Sequence, residues 1–510
     1  MASESPRIGV VSFADSRVDQ ALMTEAHAYI RDSHLGLARD LTARGFRVLD
    51  PLSDASDPTS SFTPITSLAQ REAAIRRLQQ DGVEALVVGC WRWSEPMPVV
   101  DLVRRLNVPV ALYGHRNADW SGFGGITAVG AALWEVAPNG SALVHPRILD
   151  DVDELAGWAR GAAAYQRLRT SRLLLWGGTI CMGMEHLPDD ISRLKAWLVG
   201  DILAEGQYYL IKRAEAFLQD GTEIQAFLNW LQAGGTRIVY DEKMLTPESL
   251  SRQVALYLAA EQRLDEIGRE DIAGVSILCQ KELAVEYGVT PCFIPALLPF
   301  AENHRGEKVP MPTVCEGDIK SLITSVLMSY IAPETPAQFG DLREIGGAPN
   351  WVVIANCGGS SLFYAANSNR ARDVLPNVTL QHQIHGASGA SITFKGKATR
   401  ATVARLCRVR GQYWMHLGVG QATEVTDEIM ARRKWAREWP TVVVDLGVDS
   451  GDFARVAASN HYCLVPGDYA REISYACSQA GIPVLRIDSP EGIAEAVAAM
   501  AACREDAKWT

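Results

Sequence analysis

TVCEGDIKSLITSVLMSYIAPETPAQFGDLRE, residues 313–344, is the stretch around which the chain is read. Ile319, Leu322, Ile323, Val326, Leu327 and Tyr330 recur at the spacing of a helix with one buried face. Glu316 and Asp318 stand where that helix would start, beside its positive end. Ala332-Pro333 stops it, and a proline-containing loop is expected to lead to Phe339-Gly340-Asp341. Glu316 and Asp341 would then flank one helix and its return loop. Two acids beside one pocket can hold a hard divalent cation or share proton-transfer work. The plainer reading makes Glu316 a helix-start charge and Asp341 a surface loop acid.

Composition sets the bounds. A chain of 510 residues is too long for one ordinary core and predicts two to four domains. A net charge of −11 argues against a general nucleic-acid footprint. The start, MASESPRIGVVSF, lacks a basic segment followed by a long apolar run, so no leader is expected. No window reaches the apolar length of a spanning helix. Ten cysteines form no CxxC pair, which reads as reduced thiols of a cytoplasmic protein rather than a disulfide frame or zinc site.

The fold expected is α/β, with two Rossmann-like, flavodoxin-like parallel-sheet domains and a C-terminal β-rich barrel domain. The boundaries fall near 1–168, 169–338 and 339–510. In the first domain, apolar runs at 7–13, 46–50, 83–90 and 108–114 alternate with helical patterns at 19–44 and 67–81. Function gathers at the carboxyl ends of such strands. There stand Trp91, Arg92 and Trp93, an aromatic and guanidinium group suited to a sugar. The alternative is that the tryptophans cap the core or an interface. Ser121-Gly122-Phe123-Gly124-Gly125 is similar to a phosphate loop but does not complete GxGxxG, and packing of a helix start explains it better.

In the second domain strands are expected at 172–178, 237–240 and 272–279, with a helix over Pro247–Ile267. Gln280, after the third strand, could donate to a substrate hydroxyl or be a loop amide. The third domain has β-rich runs at 351–357, 379–386, 390–396, 402–420 and 441–447, read as hairpins of a small barrel or sandwich. Its end is expected to return to α/β, with Asn460-His461 before an apolar strand and IPVLRID at 482–488. The other histidines, among them His186 and His385, show no metal-ligand spacing.

These motifs, in this order, resemble the L-fucose isomerase family and, more distantly, the L-arabinose isomerases. The matching segments are Cys90 to Glu95, Trp176-Gly177-Gly178 with Met182-Gly183-Met184, and Cys279-Gln280-Lys281. They continue in Glu316-Gly317-Asp318, Phe339-Gly340-Asp341-Leu342-Arg343 and Asn460-His461. The resemblance implies a metal-dependent aldose–ketose isomerase working through a cis-enediol, with Glu316, Asp341 and His461 as ligands of Mn²⁺ or another divalent cation. Glu316 and Asp341 would also be the catalytic carboxylates. Trp91, Arg92, Trp93, Gln280, Asn460 and Arg17 would bind substrate. It also implies a homo-oligomer, a hexamer or trimer, with the site shared between subunits. The early arginine of the family is replaced here by the more distant Arg17. The sugar would be L-fucose-like or D-arabinose-like, or a deoxy, sulfonated or acidic one. A catalytically inactive sugar-binding or regulatory protein on the same scaffold is the alternative, and a nucleotide-dependent enzyme using the 121–125 loop a more distant one.

Overall fold

The computed structural model describes residues 5–15, 20–116, 118–136, 145–345, 348–383, 387–434 and 436–503. Arg17 lies outside the described residues, as does His385. The chain forms two compact units. One extends to Arg167 and takes in Arg471–Gly481; the other takes Leu168–Ala470 and resumes at Ile482.

The first unit is built on five parallel strands: β1 (Arg7–Ser12), β2 (Arg47–Leu49), β3 (Ala85–Gly89), β4 (Val110–Gly114) and β5 (Arg147–Leu149). Their order, β2-β1-β3-β4-β5, is the flavodoxin-like one. β3 and β4 are buried along their whole length, as expected of central strands with helices on both faces. The glycines at 122 and 125 have a packing role. A Cβ on Gly122 would lie 2.9 Å from the Trp91 carbonyl oxygen, and one on Gly125 2.5 Å from that of Arg92. The helix Gly122–Val136 therefore seats directly on the turn after β3.

The second unit opens with β6 (Arg172–Trp176), β7 (Asp201–Glu205), β8 (Ile272–Ile277) and β9 (Thr313–Cys315). These make a parallel sheet of order β9-β8-β6-β7. The expected strand at 237–240 is not part of it. Arg237–Ile238 instead pairs with Thr379–Leu380 in a separate sheet completed by Ala390–Thr393. Short apolar runs do not declare their partners, so neither this pairing nor the strand Asp201–Glu205 follows from the sequence pattern. The helix Pro247–Ile267 has proline at its start and a reciprocal cap between Thr246 and Ser249.

The closed barrel comes next: β10 (Gln338–Ile345), β11 (Trp351–Ala355), β12 (Thr399–Val409), β13 (Gln412–Thr423), β14 (Thr441–Asp445) and β15 (His461–Pro466). The strands pair antiparallel in the order β12-β15-β10-β11-β14-β13, and β13 closes on β12. β16 (Val484–Arg486) adds in parallel to β13. Two expectations change. Residues 338–345 are a central barrel strand, not a return loop. Residues 461–466 are a second barrel strand, not a return to α/β. Gly340 masks the first strand's pattern, and it is needed there, because a Cβ would stand 2.9 Å from Ile354 Cγ2.

The helix Ile319–Ile331 is buried on nearly every side rather than on one face. On the sheet side it approaches Gly274 of β8 so closely that a Cβ would meet Val326 Cγ2 at 2.6 Å and Leu322 Cδ1 at 2.9 Å. On the barrel side Thr324 Oγ1 accepts from the Leu406 amide at 3.0 Å. Its polar residues thus reach partners in the barrel. Among the described residues, no helix is long and apolar enough to cross a membrane.

The Gly274 contact yields a test of this packing. Gly274→Val should destabilise the unit by about 1–3 kcal/mol, because the added methyls force the helix off the sheet. Urea unfolding of the variant against the parent measures it.

Candidate active site

The site is assembled where three backbone features meet. β9 ends at Cys315, and the chain turns sharply through Glu316 (φ 62°) and Gly317 (φ 70°). Gly317 sits so close to the Gly178 carbonyl oxygen that a Cβ would be 2.5 Å from it. A left-handed backbone is unusual for glutamate, and such conformations cluster at functional positions. Asp318 then caps the buried helix, accepting from the Ser321 amide at 3.0 Å.

The barrel supplies the other half. In the pairing of β10 with β15, Asp341 stands directly opposite His461. Direct cross-strand neighbours project from the same face of the sheet, so register alone makes this pair. Phe339, also on β10, packs edge-on against the imidazole with ring centroids 4.8 Å apart.

The three elements bring together the three residues named as ligands. His461 Nε2 is 3.4 Å from Glu316 Oε2 and 3.4 Å from Asp341 Oδ1. Ligand atoms of Glu316, Asp341 and His461 all lie within 4.8 Å of one another, and all three residues are buried. Nδ1 of the same ring bonds Asp318 Oδ2 at 2.8 Å. That bond fixes the ring, and Nε2 is left without a hydrogen-bond partner. A buried ring nitrogen aimed between two carboxylates fits the donor set of a divalent cation.

Electrostatics supports the same fit. Asp318 pairs with the buried Arg405, which also bonds Ser321 Oγ. Burial opposes the charge of Asp318, but Arg405 and His461 outweigh it and hold the carboxyl well below its usual range. Burial opposes a charge on His461, but Asp318, Asp341 and Glu316 outweigh it and raise its pKa well above an ordinary histidine's. Burial pushes the Glu316 carboxyl up to about 7, with His461 offsetting only part. Asp341, equally buried, is carried below its usual range by His461 and Asn460. With Asp318 neutralised by Arg405, two carboxylates and one imidazole share an interior that favours added positive charge.

Other predicted residues fall variously. Asn460 belongs here: its Nδ2 donates to Asp341 Oδ1 at 3.0 Å, and His186 Nε2 lies 2.8 Å from its Oδ1. Gln280 follows β8 and is half-buried. Trp91 is a correction. It is 1% exposed, packs against Tyr113 and His115, and donates from Nε1 to Ser12 Oγ at 2.8 Å. It is a core residue with no face to offer a sugar. Trp93 is 40% exposed, and Arg92 lies over Trp120 at 5.9 Å. These three belong to the first unit.

Three participants were missed. Asp318 was read only as a helix-start acid, although its place two residues after Glu316 hinted at a shared task. Arg405 was passed over as one residue of an alternating strand. His186 was assigned nothing; Lys320 holds its loop in place by donating to the Leu187 and Pro188 carbonyls at 3.0 and 2.8 Å. Beside Asn460 and His186 opens a cavity of about 680 Å³, with Met184, Arg343 and Phe453 in its wall.

Residues 354–488 match the family model described as L-fucose isomerase, C-terminal domain. That C-terminal segment is L-fucose isomerase-like. The match runs from the end of β11 past β16 and includes Asn460 and His461 but not Glu316 or Asp341. It points to the sugar isomerases. No curated protein matches the chain. Glu316 and Asp341, outside the match, complete a cluster whose histidine lies inside it.

Removing the buried cation of this network should be costly. Arg405→Leu leaves Asp318 buried and charged without its arginine partner and should destabilise the unit by about 3–5 kcal/mol. Adding Asp318→Asn should recover part of that loss, as read by urea unfolding of both variants.

Proposed function

We propose that the chain is a metal-dependent aldose–ketose isomerase acting on a monosaccharide. The observation that carries this reading is the unpartnered His461 Nε2 facing Glu316 and Asp341 in a chain with an L-fucose isomerase-like C-terminal part. The two oxygen ligands and one imidazole suit Mn²⁺ or a similar ion. Held by Glu316, Asp341 and His461, such an ion would supply Lewis acidity to a sugar carbonyl and a fixed point for neighbouring oxygens.

The chain's own groups account for the proton. In an aldose, a carboxylate takes the proton from C2, the C–H electrons form the C1=C2 bond, and the C1=O π pair moves to O1, which takes up a proton to complete the cis-enediol. O2 then gives up its proton as C2=O forms, and the C1=C2 pair takes a proton at C1 to give the ketose. Glu316, whose carboxyl is pushed towards neutrality, is the group suited to carry that proton, while Asp341 stays ionised beside His461 and Asn460. Asp318 holds the imidazole in one orientation throughout. Asn460 and His186 border the cavity and are placed to bond sugar hydroxyls, with Arg343 in the same wall. An arginine there suits an acidic or sulfonated sugar as well as a neutral L-fucose-like or D-arabinose-like one.

The same reading includes three domains divided near residues 168 and 338, a cytoplasmic setting, and a hexamer or trimer. In that assembly, Trp93 and Arg92 of a neighbouring subunit would border the cleft.

The test is isomerisation of an aldose and ketose panel in D₂O with Mn²⁺. The protein should exchange solvent deuterium into the C1 or C2 position as it turns over. Glu316→Gln and Asp341→Asn should each lower turnover and exchange by about 10²-fold or more while the fold survives. Near-normal turnover in both variants would sink the assignment. Metal bound without turnover on any sugar would favour a sugar-binding or regulatory role.

A further inference from the structure

Around Glu316, four strand ends deliver cysteines. β6 leads to Cys181, β8 to Cys279, β9 ends in Cys315, and β11 leads to Cys357. Cys357 Sγ lies 3.5 Å from Glu316 Oε1, and Cys181 Sγ 3.9 Å from Oε2. Ligand atoms of Cys279, Cys315 and Glu316 lie within 4.8 Å of one another. Asn356 Nδ2 points at Cys315 Sγ from 3.4 Å. Buried cysteines elsewhere behave as single small side chains: Cys407 and Cys463 each bond a backbone carbonyl. Cys279 and Cys315 within ligand reach of one carboxylate, with Cys357 against that same carboxylate and all three carried by separate strand ends, form a different object.

We propose that Cys279, Cys315 and Cys357, with Glu316 as fourth ligand, form a second cation site that selects thiophilic ions such as Zn²⁺ or Cd²⁺. A four-coordinate ion takes thiolates at about 2.3 Å and a carboxylate oxygen at about 2.0–2.2 Å, so its ligand atoms must lie within about 4.6 Å of each other. Cys279, Cys315 and Glu316 already have nearly that spacing, and Cys357 Sγ stands 3.5 Å from the same carboxylate. On binding, each thiol gives its proton to solvent and its sulfur lone pair to the ion; nothing is oxidised or reduced. Entry is open at Cys357, which is half-buried, whereas Cys279 and Cys315 are buried. The expectation that the cysteines form no zinc site rested on the absence of CxxC pairs. Strand ends brought together by the fold do not leave that spacing in the sequence.

One consequence rests on the isomerase reading. Glu316 belongs to both clusters, so a thiophilic ion would draw the carboxylate away from His461 and compete with the harder cation.

The test is a titration of the reduced, metal-stripped full chain with Cd²⁺, followed by the ultraviolet thiolate-to-cadmium charge-transfer band. The band should rise linearly, saturate at one equivalent, and be lost in Cys315→Ser. If that variant fails to fold, Cys357→Ser replaces it, with circular dichroism as the folding check. Absence of a band at one equivalent, with all thiols shown free, would overturn the proposal. A band that persists unchanged in folded serine variants would also overturn it. These outcomes need no enzymatic turnover. Separately, if Mn²⁺ binds the chain, one equivalent of Cd²⁺ should displace it in the parent but not in the serine variant.

Discussion

The carboxylate of Asp318 is committed three times over. It caps the buried helix at the Ser321 amide, pairs with Arg405 of β12, and accepts from His461 Nδ1 of β15. One side chain therefore ties the helix between sheet and barrel to two barrel strands. Desolvating this charge is expensive, and Arg405 and His461 repay it only in the observed arrangement. The imidazole has no freedom left, and its second nitrogen faces Glu316 and Asp341 because the first is occupied.

The remaining geometry follows from strand architecture. Asp341 and His461 face each other because β10 and β15 pair in that register. A slip of one residue would send both side chains to opposite faces and dismantle the cluster. Glu316 reaches them from a different layer, off the carboxyl end of a parallel strand through a left-handed turn. Such strand ends are where α/β sheets gather function, and here they supply a carboxylate and a group of thiols together. The two clusters share one carboxylate and differ in donor softness, which separates the ions they would hold.

Much of this was legible in the sequence, for physical reasons that can be named. Alternating apolar runs announced the parallel sheets, and the helix Pro247–Ile267 announced itself through its long helical pattern. Glu316, Asp341 and His461 were picked out by order and context, and the fold does bring them together. Strand partners were less visible. Gln338–Ile345 hid behind Gly340, and His461–Pro466 was too short and apolar to reveal an antiparallel setting. Trp91 misled because an indole after a strand end looks the same whether it faces solvent or, as here, a core serine. The thiol cluster left no trace, since its members are separated by tens of residues and meet only through topology.

The central claim is that Glu316, Asp341 and His461 Nε2 hold one divalent cation. Anomalous diffraction at the manganese absorption edge, from crystals grown with Mn²⁺, measures this directly. The account predicts a single strong peak within bonding distance of all three residues. No peak at the cluster under saturating Mn²⁺, or peaks only elsewhere in the chain, would contradict it.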